Sequence, residues 1–259
     1  MKIAVIDSGL GGLSILESIQ AVLPHEDYFY CSDNLNFPYG EKTESEIIYA
    51  ISNVTEKIVK AFHPDLLVVA CNTASTHALK ILREKFALPI IGVVPAIKPA
   101  AEKSATKVIG LLATERTVRS AYTMQLISEF AKDCKVVCRG STALVQMAED
   151  KMAGLEISKE SLKNEILPLL EDSSIDTIVL GCTHFPLLKE ELKQVFNRPI
   201  LWVDSGQAIA RRVQELCQSL TPGGTGLRVF CLTEQTTKSE ALYQKLTASF
   251  RFSNIKILS

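Results

Sequence analysis

Two cysteines, Cys71 and Cys182, each follow a short apolar run and precede small polar residues. In the two units, residues 65–75 and 176–186, an aspartate opens the run and the cysteine comes six residues later. A continuous apolar run is typical of a strand buried on both faces of a parallel sheet. Ligands of open α/β sheets bind at the carboxyl ends of such strands. The pattern therefore predicts two thiols at strand ends, converging on one pocket.

The residues around the thiols indicate proton transfer. Cys71-Asn72-Thr73 and Cys182-Thr183-His184 each combine a thiol with polar side chains and the main-chain N–H groups of a predicted helix start. Such a start binds anions and lowers the pKa of a nearby thiol. A lone strand-end cysteine is usually a core residue. Two in matching contexts favour acid–base chemistry at a carbon beside a bound carboxylate.

Other polar residues also stand where predicted strands end. Asp7 and Ser8 close the first strand, and an aspartate there suits a substrate ammonium group or an assisting base. His184 follows a strand-end thiol by two residues, which favours a functional role over that of a core histidine. Thr114 and Thr117 either bind a ligand or cap the next helix.

A glycine turn offers a different interpretation. Gly9-x-Gly11 after the first strand, with Asp33 after the second, is similar to a dinucleotide-binding fingerprint, although Ser14 replaces the third glycine. A tight turn explains the glycines more simply.

Two further positions have alternative interpretations. Pro38-Tyr39-Gly40 is a rigid turn that belongs either to an ordinary loop or to a functional one. Glu149 lies in a helix that we expect to face solvent by default.

Composition narrows the class of protein. The chain has 259 residues, with 28 basic and 29 acidic side chains and a net charge of −1, so neither nucleic acid nor a membrane surface is expected as a partner. The first apolar run is too short for a signal peptide, and none reaches membrane-spanning length. Seven cysteines without a CxxC pair indicate reduced thiols in the cytoplasm and no metal site.

Strands alternate with helices in two cycles, the second beginning at Lys107. This predicts an α/β fold of two similar lobes, each a mainly parallel sheet flanked by helices, with the active site between them. A capping box at residues 43–46 starts a long helix that ends near Phe62. Further helices are expected over residues 118–131, 158–170 and 238–250, from about Leu187, and from a cap at Ser205 to about Leu220. Residues 221–226 are the clearest linker.

With Asp7-Ser8-Gly9, Pro38-Tyr39-Gly40 and the two cysteine motifs in this order, the sequence resembles the glutamate racemases. They are the cofactor-independent branch of the aspartate/glutamate racemase superfamily. The resemblance runs from Lys2 to at least the helix after Ser205. It implies pseudo-twofold lobes, with residues 1–95 plus 207–259 in the first and 96–206 in the second.

The resemblance also implies an activity and its residues. The enzyme would interconvert L- and D-glutamate in the cytoplasm without cofactor or metal. It would supply D-glutamate for peptidoglycan and would be able to form a homodimer. Cys71 would deprotonate the D-enantiomer and Cys182 the L-enantiomer. By this resemblance, the assisting groups are Asp7, His184 and Glu149. The substrate-binding positions are Ser8, Pro38, Tyr39, Gly40, Asn72, Thr73, Thr114, Thr117 and Thr183.

Some positions depart from the family pattern. Ser32, Asn36 and Ala113 stand where members often have Gly, Arg and Gly, which affects loop packing more than catalysis. Because the first strand starts at Lys2, we expect no amino-terminal sensor of a cell-wall precursor. The alternatives are an aspartate racemase with a shorter pocket, a dinucleotide-dependent oxidoreductase, and a binding protein without turnover.

Overall fold

Two parallel β-sheets form the framework of the computed structural model, which describes residues 1–218, 223–235 and 240–258. The strands, in chain order, are β1 (Lys2–Asp7), β2 (Asp27–Ser32), β3 (Leu66–Val69), β4 (Ile90–Gly92), β5 (Val108–Ala113), β6 (Lys135–Gly140), β7 (Thr177–Leu180), β8 (Leu201–Val203), β9 (Arg228–Leu232) and β10 (Asn254–Ile257).

The same strand order occurs in both sheets. The first sheet has the order β10-β9-β2-β1-β3-β4 and the second the order β6-β5-β7-β8. Every pairing between neighbouring strands is parallel. Strands β1 to β4 therefore correspond one by one to β5 to β8, and β9 and β10 extend only the first sheet. The predicted α/β fold with two parallel, helix-flanked sheets is confirmed.

Helices cover both faces of the sheets. They are α1 (Leu13–Val22), α2 (Glu44–Phe62), α3 (Asn72–Lys85), α4 (Ile97–Lys103), α5 (Glu115–Arg119), α6 (Ala121–Phe130), α7 (Ala143–Met152), α8 (Lys159–Glu165), α9 (Leu167–Glu171), α10 (Lys189–Phe196), α11 (Gly206–Cys217) and α12 (Glu240–Phe250). No helix among the described residues is long and apolar enough to cross a membrane.

Burial explains why the central strands read as unbroken apolar runs. All residues of β3 and β7 are buried, because helices pack on both faces of each sheet. Separate apolar clusters form on the two faces of the first sheet, and Val68 and Leu67, which are neighbours in β3, belong to opposite clusters. The predicted capping box of α2 is present, with Thr43 and Glu46 each bonding to the other's backbone N–H.

Three helix predictions are wrong in detail. The helix expected over residues 118–131 is two helices, α5 and α6, because the backbone at Ser120 is extended and its side chain caps α6. The helix expected over residues 158–170 is likewise divided into α8 and α9 at Ile166. The helix expected from Leu187 begins at Lys189, after a 3-10 turn at Phe185–Leu188.

Ser205 does not cap α11 as predicted, because its hydroxyl donates instead to the carbonyl of Val94, 2.7 Å away. The expected end of that helix near Leu220, the start of the linker at Thr221 and Pro222, and the start of the last helix at Lys238 and Ser239 lie outside the described residues.

The aspartates that open the two matching units, just before β3 and β7, bind the chain at the start of the neighbouring strands β1 and β5. Asp65 accepts a hydrogen bond from the backbone N–H of Lys2. Asp176 accepts from the Ser104 hydroxyl and from the backbone N–H groups of Ala105 and Thr106. Burial alone would raise the pKa of Asp176, but these hydrogen bonds lower it to about 2.

We expect Asp176→Asn to lower the free energy of unfolding at pH 7 by roughly 1–3 kcal/mol, because three hydrogen-bond donors lose a charged acceptor. The folded pKa is depressed, so this stabilisation is present above the unfolded pKa of about 3.9 and is lost as pH falls towards 2. Urea unfolding of both proteins between pH 7 and about 3 measures it. A difference that does not shrink with acid would contradict the assignment.

Asp172→Asn is the control. Asp172 also has a pKa of about 2, but a hydrogen bond from the largely exposed Lys135 is the main cause. Added salt should therefore weaken the effect of Asp172→Asn and leave that of Asp176→Asn largely unchanged.

Candidate active site

The two predicted thiols lie at corresponding strand ends. Cys71 lies between β3 and α3, directly before the first residue of that helix, and Cys182 follows β7. Each is 6% exposed. The two cysteines lie close enough together that a negative charge on Cys182 would raise the pKa of Cys71. The structure thus brings both cysteines into one buried site between the sheets.

Their local settings differ from the prediction. Cys71 is at the amino terminus of α3, but Cys182 is separated from α10 by the 3-10 turn at Phe185–Leu188. The start of α3 does not bring the pKa of Cys71 below its ordinary value. Burial and the Asp7 carboxylate raise that pKa well above its ordinary value, and the hydrogen bond from the backbone of Ala74 offsets this only in part.

His184 and Glu149 form a buried pair beside Cys182. His184 Nε2 lies 2.9 Å from Glu149 Oε1, and Nδ1 lies 3.9 Å from Cys182 Sγ. Burial lowers the pKa of His184, but the hydrogen bonds to Cys182 and Glu149 outweigh it and raise the pKa well above its ordinary range. Glu149 is 3% exposed, so the default expectation of a solvent-facing side chain is wrong.

The glycine turn between β1 and α1 packs directly on this pair. The backbone N–H of Leu10 donates to Glu149 Oε1 over 2.6 Å, and the Gly11 nitrogen lies 3.2 Å from His184 Nε2. A Cβ on Gly11 would lie 2.3 Å from the His184 ring, and one on Gly9 would lie 2.4 Å from Glu149. The glycines therefore allow close approach of the other lobe, and the turn does not support the dinucleotide interpretation.

Asp7 occupies the corresponding place on the first lobe. Its buried carboxylate accepts hydrogen bonds from the backbone N–H groups of Ser8 and Gly12 and from the Thr183 hydroxyl. It also lies next to the thiol of Cys71. A carboxyl group therefore accompanies each thiol: Asp7 lies next to Cys71, and Glu149 lies next to His184, which contacts Cys182.

Asn72 has an unsatisfied acceptor. Its side chain is 3% exposed, and its Oδ1 has no hydrogen-bond partner among the described residues. A buried polar atom without a partner costs free energy, so such an atom in a site is suited to a ligand donor. Asn72, Cys182 and Thr183 also line a cavity of about 240 Å³ that extends past Ser14, Leu187 and Ser205.

Three threonine hydroxyls meet next to Gly40. The Thr73 hydroxyl lies 3.0 Å from that of Thr114 and 3.1 Å from that of Thr117. The hydroxyl of Thr114 also caps α5 through the backbone N–H of Thr117. The two alternatives weighed for these threonines, capping and a place in the site, are thus both compatible with the structure.

The Pro38-Tyr39-Gly40 turn reaches across to this threonine cluster. A Cβ on Gly40 would lie 3.2 Å from Thr114 Cβ, so the turn contacts the second lobe. Tyr39 is buried and donates its hydroxyl to Asp33 over 2.6 Å.

Sequence reasoning missed the contacts that join these parts. Asp33 was weighed only for nucleotide binding, yet it is fully buried and anchors Tyr39. The Ser14 hydroxyl lies 2.8 Å from the carbonyl of Gly11 and 3.0 Å from that of Thr183, which ties α1 to the second lobe. The signals in the sequence were the position of Asp33 at the end of a predicted strand and that of Ser14 after the glycine turn. Among the described residues no group of three or more His, Cys, Asp or Glu side chains could hold a metal ion.

Comparison with known proteins places this geometry in a family. The sequence model of Asp/Glu/Hydantoin racemase matches residues 3–213. The glutamate racemase of Pasteurella multocida is 45% identical over 254 residues, covering 98% of this chain and 94% of that protein. The glutamate racemase of Shewanella sp. strain ANA-3 is 50% identical over 214 residues, covering 83% of this chain and 78% of that protein.

The fold agrees as well. The crystal structure of Escherichia coli glutamate racemase, in complex with L-glutamate and the activator UDP-MurNAc-ala, superposes with a TM-score of 0.93. It is 41% identical and covers 100% of this chain and 98% of that one. With the family match across most of its length and close relatives spanning nearly all of it, this chain belongs to the Asp/Glu/Hydantoin racemase family and is an isomerase.

Proposed function

We propose that this enzyme interconverts L- and D-glutamate by proton transfer between two thiols, without cofactor or metal. The observation that carries the proposal is the pair Cys71 and Cys182 at equivalent strand ends of two similar sheets, in one buried site. The relatives' shared name, glutamate racemase, supports glutamate as the substrate.

Racemisation must remove a proton from one face of the α-carbon and return one to the other face. Two groups on opposite sides achieve this without rotating the substrate, provided that one is a thiolate and the other a thiol. The surroundings of the two cysteines support such a division. The raised pKa of Cys71 keeps it protonated, and the raised pKa of His184 keeps an imidazolium beside Cys182.

This protonation state suits one direction of the reaction. Cys182 as thiolate takes the α-proton of L-glutamate, while Cys71 donates its proton to the opposite face. Afterwards Cys71 is a thiolate near Asp7, with the protonation needed for the D-enantiomer. The two directions thus start from mirror protonation states, and Asp7 and the His184–Glu149 pair assist one thiol each.

The carbanion-like intermediate requires stabilisation, since the α-proton is far less acidic than a thiol. In our proposal this comes from preorganised donors around the α-carboxylate, at Ser8, Asn72, Thr73 and Thr183, with Asp7 near the ammonium group. Tyr39, Gly40 and the hydroxyls of Thr114 and Thr117 then receive the side-chain carboxylate.

The wider biological assignments are also proposals. Residues 1–95 plus 207–259 would form the first lobe and 96–206 the second, and the membership of β9 and β10 in the first sheet supports this division. D-glutamate would serve peptidoglycan synthesis in the cytoplasm, and the enzyme would act as a homodimer.

We expect purified protein to racemise L-glutamate with no added cofactor, and to retain this activity after prolonged dialysis against a chelator. Incubation in D₂O, followed by circular dichroism and mass spectrometry, should show loss of optical activity together with α-deuteration. Activity that disappears with the chelator and returns with metal would contradict the thiol mechanism. Faster turnover of aspartate than of glutamate would favour the aspartate racemase alternative.

We expect Cys71→Ser and Cys182→Ser each to reduce racemisation by about 10³-fold or more, because a serine hydroxyl is a much weaker acid than a thiol. A β-substituted amino acid gives the sharper test. One thiolate takes the α-proton, a double bond forms and the leaving group departs, so no opposite donor is needed. Cys71→Ser should then retain elimination from the L-form and Cys182→Ser from the D-form. Two variants that prefer the same enantiomer would disprove the two-face assignment.

We expect Glu149→Gln to move the alkaline limb of the kcat/KM profile to lower pH, because Glu149 helps to raise the pKa of His184. An imidazolium with a lower pKa loses its proton, and its support of the Cys182 thiolate, earlier as pH rises. The shift must be equal in both directions, since the equilibrium constant of a racemisation is unity. The exposed Glu156→Gln is the control, and an unshifted Glu149→Gln profile would remove the pair from the mechanism.

A further inference from the structure

Residues 33–41, which we call the tyrosine loop, have few backbone hydrogen bonds among themselves. Two 3-10 turns, Asn34–Asn36 and Tyr39–Glu41, contain most of the regular structure. The backbone bonds at the second turn are long, at 3.3 Å from Glu41 to Pro38 and 3.2 Å from Lys42 to Tyr39. Side chains must therefore hold the loop in the conformation that presents Tyr39 and Gly40.

The carboxyl end of β9 provides these contacts. The side chain of Asn34 accepts from the backbone N–H of Thr233 over 3.0 Å and that of Glu234 over 3.1 Å, and donates to the carbonyl of Glu234 over 2.9 Å. The Thr233 hydroxyl donates to Asp33 over 2.7 Å and lies 3.1 Å from the N–H of Leu35.

These residues meet because their strands are neighbours in the sheet, not because they are close in the sequence. Strands β2 and β9 are parallel, and Ser32 pairs with Leu232 at their carboxyl ends. The residues that follow the two strands therefore leave the sheet side by side, although about two hundred positions separate them in the chain.

Asp33 connects the β9 contact to Tyr39. Its carboxylate is fully buried, and it accepts from the hydroxyl of Tyr39, the amide of Asn36 and the hydroxyl of Thr233. No ion pair to it occurs in the part of the chain that the structure describes. A buried carboxylate without a cation depends on its hydrogen-bond donors, so removal of one donor changes the position of the others.

We propose that Thr233 is a positioning residue for the substrate, acting through Asp33 and the tyrosine loop. The end of β9 fixes Asp33 and Asn34, Asp33 fixes the hydroxyl of Tyr39, and the Tyr39–Gly40 turn is held against Thr114 of the second lobe. The inference rests on the proposed function, in which this turn receives the side-chain carboxylate of glutamate. Thr233 thus determines how well that carboxylate is bound, without touching the thiols.

The test is Thr233→Val, which keeps the shape of the side chain but removes its hydroxyl. We expect KM for both enantiomers to rise about tenfold and kcat to change less than about threefold, because the loss affects binding more than the proton transfer. Thr233→Ser, which restores a hydroxyl, should recover most of the loss. Asn34→Ala, which removes the three hydrogen bonds of this side chain to the backbone of Thr233 and Glu234, should also raise KM. It replaces Thr233→Val in the test if that variant folds poorly.

The chain contains a matched control at the other end of the same two strands. The Thr225 hydroxyl donates to Asp27 over 3.0 Å, beside the start of β2 and before β9. Thr225→Val also removes a threonine hydroxyl that donates to an aspartate, but this hydroxyl is far from the tyrosine loop. It should lower stability but leave KM unchanged. If Thr225→Val and Thr233→Val change KM equally, the positioning role is wrong.

Hydrogen–deuterium exchange gives a readout that is independent of activity. Peptides that cover residues 33–41 should exchange several-fold faster in Thr233→Val than in the unmodified protein or in Thr225→Val. Unmodified protein that racemises no glutamate would disprove the proposed function, and the exchange data would still test the contact with β9. Unchanged exchange in residues 33–41 would overturn the inference even if the enzyme were fully active.

Discussion

Burial of charged groups between the two lobes is the constraint on which the site depends. Glu149 and His184 come from the second lobe, but Glu149 takes a hydrogen bond from the backbone of Leu10 in the first. A buried carboxylate and imidazole are tolerated only when hydrogen bonds replace water. The lobes must therefore stay in contact at the glycine turn, and the site is complete only when both are present.

The same burial makes the two thiols different, although their sequences match. Cys71 lies at a helix start, yet burial and the neighbouring Asp7 carboxylate raise its pKa. Cys182 has no adjacent helix start, but a charged imidazole lies 3.9 Å from its sulfur. Local charges therefore give the two thiols different electrostatic surroundings. In the two-thiol mechanism that we propose, such a difference lets one thiol donate a proton while the other accepts one.

The first lobe also depends on contacts distant in sequence. Strand β9 lies beside β2, and Thr233 reaches Asp33 and thereby Tyr39. The carboxyl end of β9 thus supports a loop that reaches from the first lobe to the threonine cluster of the second.

The sequence by itself determined the alternation of strands and helices, the repeat of the cysteine units and the cap at Thr43, because periodicity, burial and capping are local properties. It also indicated the ends of β3 and β7 as the place for chemistry. The tertiary structure alone decided the burial of Glu149, the pKa of Cys71 and the anchoring of Asp33. Each depends on groups that approach from another lobe or another strand, and no local pattern contains their charge or their hydrogen bonds.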